Sequence, residues 1–91
     1  MHKISKIPTK AVILSAGQGR RLLPLTKSSP KCLLSISDKT IIEWQIDALL
    51  TVGIKEIIVV TGFQTRLVEE LLQQRYPDHK KIRILFNPFF E

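Results

Sequence analysis

Residues 11–31 read AVILSAGQGRRLLPLTKSSPK, an apolar run that leads into a basic loop rich in glycine and proline. The run from Ala11 to Ser15 is short and ends before a glycine, which is typical of a buried β-strand. Gly17 and Gly19 permit backbone angles with positive φ and let N–H groups approach a ligand closely. Because ligands of open α/β sheets bind at the carboxyl ends of the strands, this loop is predicted to hold an anion there.

The rest of the chain repeats the strand pattern and places helices between the strands. Residues 57–61 and 82–86 are continuous apolar runs, which are typical of parallel strands covered on both faces. Thr40 can cap a helix that stops at Gly53, and a second helix is predicted over residues 64–75. The predicted inward positions are Ile42, Ile46, Leu49, Leu50, Leu67, Val68, Leu71 and Leu72, with Trp44 as a further packing residue. This order of elements predicts a three-layer α/β fold with a parallel sheet and right-handed crossovers.

The size and composition of the chain narrow the class of protein. Its 91 residues suit one small domain or a piece of a larger one, and 44% hydrophobic with 24% charged residues excludes disordered and fibrous classes. The predicted strands and helices leave sheet edges uncovered, so residues 1–91 are expected to be the N-terminal part of an incomplete domain. No apolar run approaches the roughly 20 residues needed to cross a bilayer. The single cysteine, Cys32, fits a reducing compartment, and a cytoplasmic protein is expected.

Positive charge is concentrated at the front of the chain. Residues 1–37 contain no acidic residue, whereas the remainder is close to neutral, and the net charge of the whole is +6. Such a field attracts anions, whether phosphate, nucleotide or nucleic acid. A nucleic-acid-binding protein is disfavoured, because the basic residues lie on a Gly/Pro loop without interleaved aromatics or a recognition-helix pattern.

Three kinds of phosphate-binding loop can be distinguished at this point. A Walker A loop ends in Gly-Lys-Ser/Thr, which the segment lacks. A dinucleotide-binding loop needs a small residue where Leu22 stands, and Pro24 and Pro30 break the helix that such a loop would open. The segment is therefore predicted to be an extended loop. In it, Arg21 offers a planar fork to phosphate oxygens and Lys31 offers a mobile point charge.

The remaining pattern, Gly-x-Gly-x-Arg-Leu-x-Pro-Leu-Thr-x-x-x-Pro-Lys, closely resembles the signature of the sugar-phosphate nucleotidylyltransferases, also called NDP-sugar pyrophosphorylases. The matching residues are Gly17, Gly19, Arg21, Leu22, Pro24, Leu25, Thr26, Pro30 and Lys31. Further similarity from Thr40 to Gly62 extends the resemblance over essentially the whole chain. The stretches 30–33 and 87–91 look most like the branch that contains phosphocholine cytidylyltransferase-like enzymes.

The resemblance implies a Rossmann-like fold and a transfer reaction. A nucleotidyl group would pass from an NTP to a phosphorylated acceptor, either a sugar 1-phosphate or a phosphocholine-like compound, and pyrophosphate would be released. By resemblance, Arg21 binds the departing pyrophosphate portion and Lys31 neutralises the α-phosphate, which suits a reaction that depends on positioning and charge. The residues whose backbone would hold the base and the triphosphate are Leu14, Ser15, Ala16, Gly17, Gln18 and Gly19.

Two further positions have alternative interpretations. Arg20 replaces the small hydroxyl residue usual in the family and is either an added phosphate contact or a solvent-facing arginine. Asn87 is a candidate for base recognition, and a turn residue before Pro88 is the alternative.

The resemblance also implies Mg²⁺, held by family aspartates that come later than residue 91, so no ligand is predicted in this chain. The 91 residues alone are therefore expected to show little or no turnover. The expected partners are an NTP and a phosphorylated small molecule, with neither nucleic acid nor a membrane. A truncated or non-catalytic nucleotide-binding module is the alternative function. Arg21 and Lys31 favour the enzyme, because a module that only docks a partner has no need of both.

Overall fold

A computed structural model describes residues 9–15, 30–77 and 80–89 of the chain. The elements within them are β1 (Lys10–Ser15), a 3-10 turn (Lys31–Leu33), β2 (Ser35–Ile36), β3 (Lys39–Thr40), α1 (Ile41–Thr51), β4 (Glu56–Thr61), α2 (Thr65–Arg75) and β5 (Ile82–Phe86). The predicted α/β fold with a parallel sheet is confirmed. The predicted strands and the second helix differ from these bounds by one residue or less.

Strands β1, β4 and β5 form a parallel sheet with β4 in the middle. The register pairs Ala11 with Ile57 at one end, and it pairs Ser15 with Thr61 and Thr61 with Phe86 at the other. The carboxyl ends of the strands therefore lie side by side. We call this side of the sheet the carboxyl edge.

Helices α1 and α2 cover one face of the sheet, which we call the helix-covered face. The buried hydrophobic residues form one cluster: Ile13, Cys32, Ile42, Ile46, Ile54, Ile57, Val59, Val68 and Leu72. The helices also contact each other on that face. Nε of Arg75 lies 3.2 Å from a carboxylate oxygen of Glu43, and the Tyr76 hydroxyl donates a hydrogen bond to Asp47 at 2.7 Å. The strand order β1-β4-β5 makes both crossovers step in the same direction, and crossovers of one hand that step in one direction place their helices on the same face.

The opposite face of the sheet carries apolar side chains without such a cover. Val12 is 57% exposed and Leu14 is 81% exposed, and Leu85 of β5 is 58% exposed. The described residues therefore leave these three side chains largely open to solvent. We call this surface the open face. The continuous apolar strands predict that both faces of the sheet are covered by other elements. Within the described residues, helices cover one face.

Local signals set the two ends of α1 as the sequence predicts. The side chain of Thr40 accepts a hydrogen bond from the backbone of Glu43, whose carboxylate accepts one from the backbone of Thr40. This reciprocal capping box satisfies two donors at the start of the helix. Gly53 follows the last turn at φ 93°, a conformation that costs glycine little.

Two features of this half of the chain differ from the predictions. The hairpin of β2 and β3 is not predicted, and its turn holds Ser37 at φ 62°. Trp44 packs on this hairpin rather than in the core: its indole N–H donates to the carbonyl of Ile36, and the Lys39 ammonium lies 4.7 Å from its ring centre.

The predicted inward leucines that are only partly buried are Leu49, Leu50, Leu67 and Leu71. Neither α1 nor α2, at 11 residues each, is long enough to span a bilayer, and the described residues contain no helix that is.

Candidate functional site at the carboxyl edge

Each strand of the sheet ends in a polar residue or is followed by one at the carboxyl edge. Ser15 ends β1 and Thr61 ends β4, and both are buried. Asn87 follows β5, and its backbone N–H donates to the carbonyl of Thr61 at 2.6 Å. The edge thus gathers hydroxyl and amide groups where an open α/β sheet binds its ligands.

The side chain of Ser15 is fixed by the neighbouring strand. Its hydroxyl donates to the carbonyl of Val60 at 2.8 Å, and the residue is 8% exposed. A buried hydroxyl with this bond cannot turn freely, so the last residue before the glycine loop has a defined orientation. Ser15 therefore provides a rigid starting point for that loop.

The 3-10 turn, which we call the lysine turn, presents Lys31 to solvent. It is closed by bonds from the N–H of Leu33 to Pro30 O and from the N–H of Leu34 to Lys31 O, each 3.0 Å long. Pro30 and Cys32, on either side of Lys31, are buried. A short turn with two buried neighbours leaves the exposed lysine little freedom of position at its backbone.

Cys32 connects the lysine turn to the hydrophobic core. Its side chain is 6% exposed and belongs to the same buried cluster as Ile13 of β1. Burial raises the pKa of the Cys32 thiol above its ordinary value, so the group is neutral at physiological pH.

Helix α2 begins directly behind the carboxyl edge. The Thr65 hydroxyl donates to the hydroxyl of Thr61 at 2.6 Å, and Thr61 is fully buried. Gln64, the N-cap residue, has φ 53° and makes no side-chain cap bond. The first turn contains no acidic residue, and the Glu69 carboxylate from the next turn lies 3.5 Å from the Thr65 hydroxyl.

The side chain of Asn87 takes part in a local turn. Its Oδ1 accepts a hydrogen bond from the backbone N–H of Phe89 at 3.0 Å. This is the geometry expected of a turn residue before a proline. The amide nitrogen is a donor at the same edge, so the role in base recognition stays a prediction.

The structure thus describes some of the predicted site residues. The buried Cys32 brings the lysine turn, with Lys31, into one cluster with Ile13 of β1, and Asn87 lies at the end of β5. Leu14 lies on the open face with an exposed side chain. The predicted residues Ala16, Gly17, Gln18, Gly19, Arg20 and Arg21 lie outside the described residues.

Sequence reasoning missed three residues at this edge. Cys32 served only as an indicator of the redox compartment, and Thr61 and Thr65 were not selected. Thr61 carried a usable signal, since a hydroxyl residue ends an otherwise apolar strand just before a glycine. The packing of Cys32 in one buried cluster with Ile13 of β1 had no such signal, because the two residues are far apart in sequence.

The carboxylates of the described residues do not fit a Mg²⁺ site. No group of three histidine, cysteine, aspartate or glutamate side chains among them could hold a metal ion. Glu43 caps α1 and pairs with Arg75, and Asp47 bonds to Lys39 and to Tyr76. These carboxylates hold the fold together instead.

Comparison with known proteins assigns this α/β unit to a family. The nucleotidyl transferase family model matches residues 10–88. A CTP:phosphoglutamine cytidylyltransferase from Campylobacter jejuni is 44% identical over 69 residues, which is 76% of this chain and 27% of that protein. A UTP–glucose-1-phosphate uridylyltransferase from Bacillus subtilis is 46% identical over 61 residues, 67% of this chain and 21% of that protein.

A solved structure shows the same fold. The CTP:phosphocholine cytidylyltransferase from Streptococcus pneumoniae superposes with a TM-score of 0.76 and 39% identity, covering 90% of this chain and 34% of that one. The chain belongs to the nucleotidyl transferase family, as the sequence motif predicts. It spans between about a fifth and a third of the length of these relatives.

Proposed function

We propose that the protein is a nucleotidylyltransferase that uses an NTP and a phosphorylated small molecule. A phosphate oxygen of the acceptor attacks the α-phosphorus, the bond from that phosphorus to the bridging oxygen breaks, and pyrophosphate leaves. The observation that carries this proposal is the exposed Lys31, on a turn anchored in the core by Cys32, in a chain whose family is established. In this proposal the charge of Lys31 neutralises the negative charge that develops on the α-phosphate.

The other site residues have proposed roles on the same basis. The backbone from Leu14 to Gly19 holds the base and the triphosphate, Arg21 binds the departing pyrophosphate, and Asn87 contacts the base. Arg20 adds a phosphate contact. The relatives named above use CTP or UTP, which supports a pyrimidine nucleotide as the donor. They are also named for phosphorylated acceptors, which supports a phosphorylated small molecule here.

A divalent cation is part of the proposal, because charge on the triphosphate must be neutralised during transfer. Its ligands would lie outside the described residues. Removal of divalent cations with EDTA is expected to abolish turnover, and added Mg²⁺ is expected to restore it. We also propose a cytoplasmic location, supported by Cys32, which is a free thiol.

The test is pyrophosphate release by the protein made from its own gene. Each of the four NTPs is combined with phosphocholine or with glucose 1-phosphate, and released pyrophosphate is quantified. Lys31→Ala is expected to lower kcat by about 10²- to 10³-fold, the usual effect of removing one group that stabilises developing charge. Lys55→Ala is the matched control, because Lys55 is an exposed lysine just before β4, away from the carboxyl edge, and it should leave kcat unchanged.

Two results would contradict the proposal. Equal loss of activity in Lys31→Ala and Lys55→Ala would show that Lys31 has no special role at the site. Tight NTP binding without pyrophosphate release, with every acceptor and with Mg²⁺ present, would instead establish a non-catalytic nucleotide-binding module.

A further inference from the structure

We propose that Glu43 is a positioning residue, which holds the lysine turn, and with it Lys31, against the start of α1. This inference deepens the proposed function and rests on it, because the effect of Glu43 on the reaction passes through Lys31. Glu43 needs no contact with the substrate. Its effect passes along a series of hydrogen bonds through Thr40, Ile41 and Leu34.

The carboxylate of Glu43 is buried, and each of its oxygens has a partner. The residue is 7% exposed. Its Oε1 accepts hydrogen bonds from the backbone N–H and from the hydroxyl of Thr40, both at 2.9 Å, and its Oε2 lies 3.2 Å from Nε of Arg75 in α2. Because a buried carboxylate that loses such partners is left unsatisfied away from water, these bonds hold it in one orientation. Glu43 is therefore a fixed point at the start of α1.

Thr40 completes the cap from the other side. Its Oγ1 accepts a hydrogen bond from the backbone N–H of Glu43 at 3.3 Å, while its own hydrogen is given to the Glu43 carboxylate. These reciprocal bonds fix the backbone where β3 passes into α1. The next N–H along the chain belongs to Ile41, the first residue of the helix. Glu43 and Thr40 together therefore set the direction of that N–H.

The N–H of Ile41 is bonded to the segment that carries Lys31. It donates to the carbonyl of Leu34 at 2.9 Å, and the N–H of Leu34 donates to the carbonyl of Lys31 at 3.0 Å. A turn of three residues has few bonds of its own, so its placement depends on its attachments. The position of Lys31 therefore depends on this bond to α1 as well as on the burial of Cys32 in the core.

Two pairs of substitutions either break the cap or keep it. Glu43→Ala removes the acceptor for the N–H of Thr40, whereas Glu43→Gln keeps one, because glutamine also forms capping boxes. Thr40→Ala removes the hydroxyl, whereas Thr40→Ser keeps it. The conservative member of each pair should therefore leave Lys31 in place.

The experiment measures kcat and KM for the NTP in the protein made from its own gene, at a temperature below the thermal midpoint of every variant. Glu43→Ala and Thr40→Ala are expected to lower kcat by about 10-fold or more, since displacing a catalytic group by an ångström can cost about 10²-fold. Glu43→Gln and Thr40→Ser should keep kcat within about twofold of the wild-type value. KM for the NTP should change by less than about twofold in all four, because the lost interaction belongs to the transition state.

Gly53→Ala is the matched control for the stability of α1. Gly53 follows the last turn of the helix at φ 93°, where a side chain is strained even though an added Cβ would meet nothing within 4 Å. The substitution therefore destabilises the same helix at its far end and leaves the cap intact. It should lower the thermal midpoint, as Thr40→Ala does, and leave kcat unchanged.

A double variant tests whether the effect passes through Lys31. If it does, Glu43→Ala should add no further loss of kcat to Lys31→Ala. Three results would overturn the proposal: additive losses in the double variant, full kcat in Glu43→Ala, or a kcat loss in Gly53→Ala equal to that of Glu43→Ala. The last of these would show that the stability of α1 alone accounts for the effect.

Failure of this inference differs from failure of the proposed function. If the wild-type protein neither binds an NTP nor releases pyrophosphate, both fall. If the wild-type is active and Lys31→Ala is not, but Glu43→Ala keeps full kcat, only the positioning role falls. If an NTP binds without turnover, the transferase falls, and Lys31 would act on the bound nucleotide alone. A weaker NTP affinity in Glu43→Ala than in Glu43→Gln then decides in favour of positioning, and equal affinities decide against it.

Discussion

The two faces of the parallel sheet are built from similar apolar residues and have different surroundings. Val59 on the helix-covered face is fully buried, whereas Val12 on the open face is 57% exposed. Both are valines in continuous apolar strands, so residue type does not explain the difference. The strand order β1-β4-β5 does, because two crossovers of the same hand and direction place both helices on one face.

The largest expected effect contrasts one residue from each face. Ile57→Ala removes a fully buried side chain below the helices and should lower the free energy of unfolding by about 2–5 kcal/mol, through lost burial and the cavity left behind. Leu85→Ala on the open face should change it by about 0.5 kcal/mol or less. Chemical denaturation of both variants measures the contrast. Equal losses would show that the open face is covered by groups beyond the described residues.

The next smaller effect is expected at the start of α1, one of the two helices on the helix-covered face. Thr40→Ala removes the capping box and should lower the free energy of unfolding by about 1 kcal/mol. The matched control is Thr51→Ala at the other end of the helix, where the hydroxyl only donates to the carbonyl of Asp47 in the same helix. Thermal or denaturant unfolding that ranks the two variants in the opposite order would contradict the cap.

A smaller effect is expected where α1 meets the end of α2. Partial burial acts to raise the pKa of Asp47, but hydrogen bonds from Lys39 and Tyr76 outweigh it and hold that pKa below its ordinary value. The stabilisation is therefore complete above the unfolded pKa of about 3.9 and is lost as the pH falls through the lower folded value.

Unfolding of the wild-type and Asp47→Asn as a function of pH tests this. The wild-type should be more stable at neutral pH by less than about 1 kcal/mol, since the carboxylate is partly exposed. The difference should shrink as the pH falls below about 4. A difference that is constant from pH 7 to pH 2 would exclude ionisation of Asp47 as its source.

The smallest effect belongs to charges at the amino end of the open face. Glu56 lies 3.6 Å from Lys10 and 2.7 Å from Arg83, and these exposed partners bridge the three strands. Exposed ion pairs contribute little and are screened by salt. Glu56→Gln should therefore lower the free energy of unfolding slightly at low salt and by no measurable amount at high salt. A loss that is independent of salt would show a role beyond the ion pairs.

Local rules in the sequence explain why much of the fold was predictable. The strand at β5 and the cap at Thr40 are set by residues adjacent in the chain, so periodicity and capping residues locate them. The hairpin of β2 and β3 was missed, since strands of two residues have no detectable period and Ser37 adopts a positive φ without being glycine. Trp44 was placed in the packing, but its partner, the hairpin, could not be foreseen.

At the candidate site too, features set by neighbouring residues were predictable, and contacts between distant residues were not. The motif predicted Lys31 and the glycine loop because phosphate-binding chemistry uses these residue types at these spacings. The anchoring of the turn that carries Lys31 could not be predicted, because the buried cluster joins Cys32 to Ile13, on opposite sides of the loop. For Asn87 the sequence allowed two roles, base recognition or a turn residue before Pro88. The structure describes the turn, in which the Asn87 side chain accepts a hydrogen bond from the N–H of Phe89.

The sequence by itself determined the parallel strands, the two helices, their order, the family and the residue types at the carboxyl edge, because these depend on short-range periodicity and on a continuous motif. Only the tertiary structure decided which face of the sheet is covered and how the lysine turn is held to β1. Both depend on how distant segments are brought together. Apolar strands allow a helix on either face, and the direction of the crossovers selects one.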